Sequence, residues 1–478
     1  MKKAFIKTQN TYSWLTTNSD EVSTVLWKAL RFRAKNYFHS RLYKQRIWDG
    51  YTEFYKKISG RFLTGLLPEV KAALRYLNVS YQISDERNTI SLLHNEIDKN
   101  FLSNFEKGGR PIELEDYQVD YTNQILKHKR GIILAPTASG KTLVMMCILK
   151  CLNEKTPALV LTNRKGLAQQ NYEEMQELGI KRAGVLHSDC KEPNIITCAT
   201  WQSLHRLEKL LPHIRVVIVD EIHEMMSDGP KKFYNKLKGT CVRVAVSATP
   251  FKFGGKDKPQ KYSVKGYFGP IMKTKSASAE KGVLTTKKLQ EHGRLSKTKC
   301  TFFPVTEPQL PYAIYLDAVE KGISQNLSFN NMVAKLAKSL KGRTLVIVER
   351  LAHGDLLHNL LPNSLWVQGK DDLKTRKIVV DRLQEFQNDV VAIATQGIFN
   401  TGLNVKAHNL INAAGGQAEH VIIQRFGRGL RTADDKDYLD YYDFVFKIND
   451  YLEEHSKNRI KILKKEGHEI NIKDSFML

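Results

Sequence analysis

Five short apolar runs between residues 111 and 275 constrain the fold more than anything else in the chain: "GIILAP", "ALVLTN", "NIITCAT", "VVIVDE" and "RVAVSATP". Each is too short for a stable helix, and amphipathic stretches separate them. Runs that are apolar at consecutive rather than alternate positions predict parallel strands covered by helices on both faces. The alternation resumes after about residue 300 with "TLVIVE", "SLWVQG", "VVAIATQG" and "NLINAA". The expected architecture is therefore α/β, with two parallel-sheet lobes in tandem behind a small α+β N-terminal domain. The expected borders are 1–110, 111–275 and 276–478. Residues 252–300 are Lys-rich and poor in apolar runs, and are expected to form a connector or surface segment.

One junction between an apolar run and a helix carries chemistry. "APTASGKT", Ala135–Thr142, lies between "RGIILAP" and "KTLVMMCILKCL". It differs from the phosphate-loop pattern G-x-x-x-x-G-K-[ST] in having Ala135 at the first glycine, where a tight strand exit needs only a small residue. Free backbone N–H groups and the helix dipole at such a junction point at anionic oxygens. Gly140 allows close backbone approach, Lys141 reaches terminal phosphates, and the Thr142 hydroxyl suits Mg²⁺. A second run ends in Asp220-Glu221-Ile222-His223, seventy-nine positions after Lys141. Acids at the carboxyl end of a parallel strand lie where such sheets bind ligands. Asp220 is a candidate for Mg²⁺, and Glu221 for orienting and deprotonating a water. ATP with Mg²⁺ is the expected cofactor.

The charge balance points to the partner. The chain has 74 Lys+Arg against 50 Asp+Glu, a formal net charge of +24. An excess of that size favours a polyanion, because each neutralised phosphate releases counterions. Six cysteines in 478 residues do not make a disulfide framework, and Cys147 and Cys151 have no second pair at zinc spacing. "MKKAFIKTQN" is followed by no apolar signal core, and no apolar run approaches the roughly 20 residues of a bilayer span. A soluble, monomeric, cytoplasmic protein without membrane contact is expected.

Asp220–His223 resembles the DExH box of superfamily 2 helicases, and other motifs of that family follow in order. "LEDYQ" resembles its adenine-reading segment, with Gln118 the reader. "LTNRKGLAQQ" and "ATWQSL" resemble strand-contacting segments, which makes Arg164 and Thr200 candidate backbone contacts. "SATP", Ser247–Pro250, resembles the motif that links hydrolysis to movement. "TLVIVERLAHG", "ATQGIFNTGLNV" and "QRFGRGLR" resemble the three motifs of the second lobe. The resemblance implies RecA-like lobes with ATP in the cleft between them. It implies Thr137 and Ser139 in the cofactor loop and a coupling set of His223, Ser247, Thr249 and Gly402. Thr395 is a further strand contact. Arg428 and Arg431, three apart on a helix, would stabilise charge on the transferring phosphoryl group, with Gln424 placing water or phosphate. Asn404 stands where Asp is common, which leaves the usual contact there open.

The N-terminal stretch "YKQRIWDGYTEFYKK" contains Asp49-Gly50, a strong two-residue hairpin signal. Such a hairpin pairs Trp48 with Tyr51, Arg46 with Glu53 and Lys44 with Tyr55, and turns Tyr43, Ile47, Thr52 and Phe54 to the core. The mixed aromatic and cationic face suits bases and phosphates, with Arg46 and Trp48 as contacts; cross-strand packing explains it equally well. "IWDGY" and "RFLTGLLPEV" resemble the UvsW kind of bacteriophage helicase. That implies branched or forked DNA with single-stranded regions, fork regression, branch migration and unwinding in phage replication, recombination or repair, and the host cytoplasm as the place of action if the chain is of phage origin. A DExH RNA helicase and an ATP-gated translocase without strand separation are the alternatives. "SKNRIKILKKEGHEINI" is expected to be a basic helix, either solvated or touching a nucleic-acid backbone.

Overall fold

The computed structural model describes residues 2–476 apart from 108, 252–254, 369–370, 372–388, 396–406, 418–420 and 423–437. The chain divides into two compact units. One comprises Met1–Ala135, Gly140–Ser276 and Lys281–Val283; the other comprises Pro136–Ser139, Ala277–Glu280 and Leu284–Leu478.

The first unit holds two sheets. The N-terminal one has five strands, with Lys3–Thr8 pairing antiparallel to Tyr12–Thr17 and parallel to Ser80–Asp85. Strict alternation along Lys3–Thr8 turns Ala4, Ile6 and Thr8 inward. Helices Asp20–Ala29 and Leu67–Tyr76 cover that face with Val22, Leu26, Val70 and Leu74. The second sheet has seven strands in the order Arg130–Leu134, Val242–Ser247, Val216–Asp220, Ala158–Thr162, Ile196–Thr200, Ala183–Leu186 and Lys191–Glu192. All pair in parallel except the last. Strands Ala158–Thr162, Ile196–Thr200 and Val216–Asp220 are buried at every position, which is why they read as unbroken apolar runs.

The second unit carries another seven-stranded sheet, entirely parallel. Its order is Leu365–Val367, Val390–Thr395, Arg343–Val348, Asn409–Asn412, Tyr438–Phe446, Lys297–Val305 and Ile470–Ile472. Helix Leu327–Ser339 packs Phe329, Val333 and Leu336 into its core. No described helix is long and apolar enough to cross a membrane, and all six cysteines are free thiols.

Two expectations are overturned, the first of them in part. First, the segment expected as a connector at 252–300 is one only in part: the chain passes between the units within 276–284, but the described residues before that are packed. Helix Lys258–Phe268, whose N-cap Asp257 accepts the Gln260 N–H at 3.0 Å, buries Val264, Tyr267 and Phe268 in the first lobe's core. Its other side meets the N-terminal domain. A Cβ on Gly65 would lie 2.1 Å from the Lys265 carbonyl, and one on Gly266 would lie 2.5 Å from Leu63. Lys265 also pairs with Glu69 at 2.7 Å.

Second, Asp49-Gly50 does not close a hairpin between residues 44–48 and 51–55. The chain before it forms the short helix Arg41–Lys44, and Tyr51–Glu53 pairs instead with Arg31–Arg33. Gly50 does take a left-handed turn conformation at φ 82°. Asp49, however, accepts the Tyr51 N–H at 3.0 Å and pairs with Arg31, which ties the turn to a different strand. Ile47, expected in the core, is 71% exposed, while Phe54 is buried as expected.

The C-terminal basic segment is helical over Asp450–Lys465, with Lys457, Lys461, Lys464 and Lys465 on a solvated face. It turns Leu452, Ser456, Arg459 and Leu463 inward.

Candidate nucleotide and nucleic-acid site

The phosphate loop leaves strand Arg130–Leu134, where Ala135 N–H donates to the Ser247 carbonyl at 3.3 Å. Ala135 is buried, as a small residue at a strand exit must be. The loop bends through Ala138 at φ 66° and Gly140 at φ 76°, and helix Lys141–Lys150 begins at once. A non-glycine residue in left-handed conformation is a strained element of the kind that gathers at binding sites. Ser139 Oγ donates to the Pro136 carbonyl at 2.7 Å, and Lys141 Nζ donates to the Ala135 carbonyl at 3.3 Å. Thr137 Oγ1 is buried with no hydrogen-bond partner among the described residues. A buried hydroxyl without a partner is costly and marks a place made for a ligand.

Gln118 lies behind this loop. Its Oε1 accepts the Glu115 N–H at 2.9 Å, closing a capping box at the start of helix Asp116–His128. A Cβ on Gly140 would fall 2.2 Å from Gln118 Nε2, so a side chain there would displace the Gln118 amide, and the φ of 76° itself favours glycine. The predicted adenine reader thus also props the phosphate loop.

Strand Val216–Asp220 delivers the acids. Asp220, 8% exposed, accepts the Glu221 N–H at 3.0 Å. Glu221 sits at φ 50°, a second strained residue in the same site. Ser247 Oγ donates to Glu221 Oε2 at 3.1 Å and lies 3.0 Å from His223 Nδ1, which is itself 3.3 Å from Glu221 Oε2. Burial pushes the Glu221 carboxyl up, but the His223 hydrogen bond, the Lys141 charge and Ser247 together hold it below the usual carboxylate range. It is therefore an acceptor at neutral pH. Thr249 N–H donates to Ser247 Oγ at 3.0 Å, so Ser247 touches Glu221, His223 and Thr249 at once.

The candidate backbone contacts lie at the carboxyl ends of other strands. Thr200 ends strand Ile196–Thr200, is 6% exposed and shares a hydrogen bond with Ser203 at 3.0 Å. Arg164 precedes helix Lys165–Glu177 and pairs with Glu224 at 2.6 Å, a partner that spacing did not reveal. Thr395 ends strand Val390–Thr395 and is buried. Gly402, Gln424, Arg428 and Arg431 lie outside the described residues, as does Asn404.

In the N-terminal domain, Trp48 and Arg46 line an open hollow of about 840 Å³ with Phe38, Tyr43, Lys44 and Ile47. Trp48 Nε1 donates to the Tyr51 carbonyl at 2.7 Å. Sequence reasoning missed the neighbouring stack. The Arg31 guanidinium lies 4.3 Å from the Trp27 ring and 4.0 Å from Tyr51, and that of Arg33 lies 4.7 Å from Tyr37.

Residues 111–252 match the family described as the res subunit of type III restriction enzymes. The chain is similar to the ATP-dependent DNA helicase uvsW of Enterobacteria phage T4, 24% identical over 444 residues that cover 87% of this chain and 85% of the relative. It is similar also to the DNA 3'-5' translocase XPB2 of Sulfurisphaera tokodaii, 25% identical over 361 residues, 68% of this chain and 80% of that one. A fragment of an HsdR subunit of a type I restriction enzyme from Vibrio vulnificus YJ016 shares the fold with a TM-score of 0.55, at 18% identity, over 78% of this chain and 70% of that one. A phosphate loop followed by a DExH turn on a parallel sheet, with the Ser247 hydroxyl on Glu221 and His223, gives this chain features similar to those of superfamily 2 helicases of the bacteriophage UvsW type.

Proposed function

We propose that the chain is an ATP-dependent DNA helicase or translocase whose substrate is branched or forked DNA with single-stranded regions. The observation that carries the reading is the strained Glu221 at a strand end, ionised, hydrogen-bonded to Ser247 and within the field of Lys141.

Magnesium ATP supplies the phosphoanhydride whose hydrolysis drives movement. Lys141 exchanges the Ala135 carbonyl for phosphate oxygens, and the loop N–H groups with Thr137 and Ser139 cradle the same anion. Thr142 and Asp220 would be the oxygen ligands that hold Mg²⁺. Glu221 orients a water and takes its proton; as a carboxylate held ionised it is in the form that task needs. Gln424, Arg428 and Arg431 belong to the proposal as the groups that stabilise the spreading charge. Ser247 carries any shift of Glu221 to His223 and Thr249. Fork regression and branch migration in phage recombination or repair is the setting this reading favours.

The N-terminal domain is the proposed duplex-binding part. Arg46, Trp48 and the Arg31–Trp27–Tyr51 stack offer cations against aromatic faces, a combination that tolerates any base sequence.

Lys141→Ala tests the site. ATP turnover should fall at least about a thousandfold, the scale of lost electrostatic stabilisation at a transferring phosphoryl group, while affinity for forked DNA, read by fluorescence anisotropy, stays close to that of the parent. Near-normal turnover would remove the site. ATPase stimulation by single-stranded RNA in preference to forked DNA would make the chain an RNA motor instead.

A further inference from the structure

Arg164, the expected phosphate contact, is already held by a carboxylate. Its Nη2 donates to Glu224 Oε1 at 2.6 Å and its Nε to Glu224 Oε2 at 3.2 Å. That two-point grip uses the same edge of the guanidinium with which arginine binds a phosphate. The pair is partly withdrawn from water, with side chains 29% and 13% exposed, so it is screened less than an open surface pair.

The pair sits in a built network. Asn163 Nδ2 donates to Glu224 Oε2 at 3.4 Å, and Asn163 Oδ1 accepts from Trp201 Nε1 at 2.9 Å and from Gln202 Nε2 at 3.1 Å. Three neighbouring strands, Ala158–Thr162, Val216–Asp220 and Ile196–Thr200, end at this cluster. Glu224 closes the one-turn helix Ile222–Glu224, and its N–H donates to the Glu221 carbonyl at 2.9 Å. The carboxylate that holds Arg164 is thus fixed by the turn that holds the hydrolytic carboxylate.

We propose that Glu224 is a latch on the nucleic-acid site. Without DNA it neutralises Arg164; a backbone phosphate must displace it to bind. Displacement frees Glu224 and loosens the turn that starts at Glu221, so arrival of the strand is felt at the hydrolytic residue through three consecutive peptides. Glu224 is a positioning residue, acting on the phosphate through Arg164 and on water through Glu221. This inference rests on the nucleic-acid reading above. The opposite role, in which Glu224 presents Arg164 to the phosphate, predicts the opposite sign.

Glu224→Gln keeps the shape and removes the charge. Forked-DNA affinity should tighten about threefold to tenfold, the range spanned by partly buried ion pairs. The DNA concentration that half-activates the ATPase should fall with it, and ATP turnover without DNA should rise. Arg164→Ala should weaken binding, and Arg164→Ala with Glu224→Gln should match Arg164→Ala alone, because the latch acts only through the arginine. A merely structural Glu224 would weaken or leave unchanged the binding of the single variant, and would add its effect in the double one; either result overturns the latch. If the parent protein responds to DNA and Glu224→Gln behaves like it, only the latch fails. A parent that neither binds nor responds to DNA overturns the latch and the functional reading together.

Discussion

Among the described residues, two arginines are completely withdrawn from solvent, one in each unit, and they are kept there by different means. Arg459, in the second unit, meets Asp443 through Nε and Nη2 at 3.0 Å, with Nη2 also donating to the Phe444 carbonyl and Nη1 to that of Gly416. Asp443 is completed by Tyr441, Asn412 and its own neighbour's N–H. Arg243, in the first unit, has no carboxylate within ion-pairing distance among the described residues. Its Nη2 donates to the Leu237 carbonyl at 2.6 Å and to Thr11 Oγ1 at 2.7 Å, with Tyr234 and Thr240 carbonyls farther off. Burial pushes its guanidinium down to about 10. Thr11 belongs to the N-terminal sheet's first turn. Arg130 beside it likewise donates to the Asn10 carbonyl, and burial followed by the Arg243 and Arg87 charges drives it well below its ordinary value.

The second unit therefore neutralises its buried charge internally. The first lobe borrows acceptors from the N-terminal domain, more than two hundred residues away from Arg243 in sequence. Tyr12 with Asn235 at 2.9 Å and Asn10 with the Lys238 carbonyl at 2.9 Å join the same seam. Removing the N-terminal sheet would take one acceptor from each of two buried guanidinium groups, Thr11 Oγ1 from Arg243 and the Asn10 carbonyl from Arg130.

Asp443→Ala should break the comparison hardest. It leaves Arg459 buried without a counter-charge, a loss of about 3–5 kcal/mol. Hydrogen exchange along Tyr438–Phe446 should speed up while Val216–Asp220 keeps its protection. Loss of protection in both units alike would mean that the pair is not confined to the second.

Acid should separate the units next. Burial lowers His353 and His468, both in the second unit, from 6.5 to about 4. The sign follows from which state takes up protons. Below 6.5 the unfolded chain protonates these rings and the folded one does not, so their contribution is complete above 6.5 and is lost as pH falls to about 4. Each shift corresponds to about 3 kcal/mol at most. In the first unit, Asp85 is held down to about 2, chiefly by its hydrogen bond to Arg87, and contributes above 3.8 until pH falls toward 2. Exchange followed from pH 7 to about 4.5, inside the histidine window and above that of Asp85, should therefore expose the second unit's strands first; parallel loss in both units would contradict this.

The smallest effect tests the seam. Thr11→Val removes one acceptor from Arg243 and should cost about 1.5 kcal/mol, the scale of a hydrogen bond to a charged group. Proteolysis within residues 1–90 should quicken, with Lys297–Val305 unaffected. An unchanged cleavage rate would mean that the neutral carbonyls suffice for Arg243.

The parts that were legible in the sequence share one cause. A parallel strand buried on both faces must be apolar at every position, so "VVIVD" and "ALVLT" announce themselves. Lys297–Val305 and Tyr438–Phe446 escaped notice because "KTKCTFFPV" and "YLDYYDFVF" mix charge with aromatic residues, and Asp443 is charged yet buried. In the site, the phosphate loop and the acids after Val219 were readable because their chemistry depends on residues adjacent in sequence. Glu224 as the partner of Arg164 was not, since the two are sixty positions apart. The Asp49-Gly50 turn misled for the same reason: Gly50 does bend the chain, but Arg31 chose the strand that Tyr51 joins.

By itself the sequence determined the parallel sheets, the phosphate loop and the position of Asp220 and Glu221 at a strand end, because hydrophobic periodicity and strand-to-helix junctions are local properties of the chain. Only the tertiary structure decided which oxygens hold Arg243, Arg459 and Arg164. A buried or half-buried guanidinium takes whatever acceptors the fold brings within about 3 Å, and nothing in the spacing of residues records which distant ones those will be.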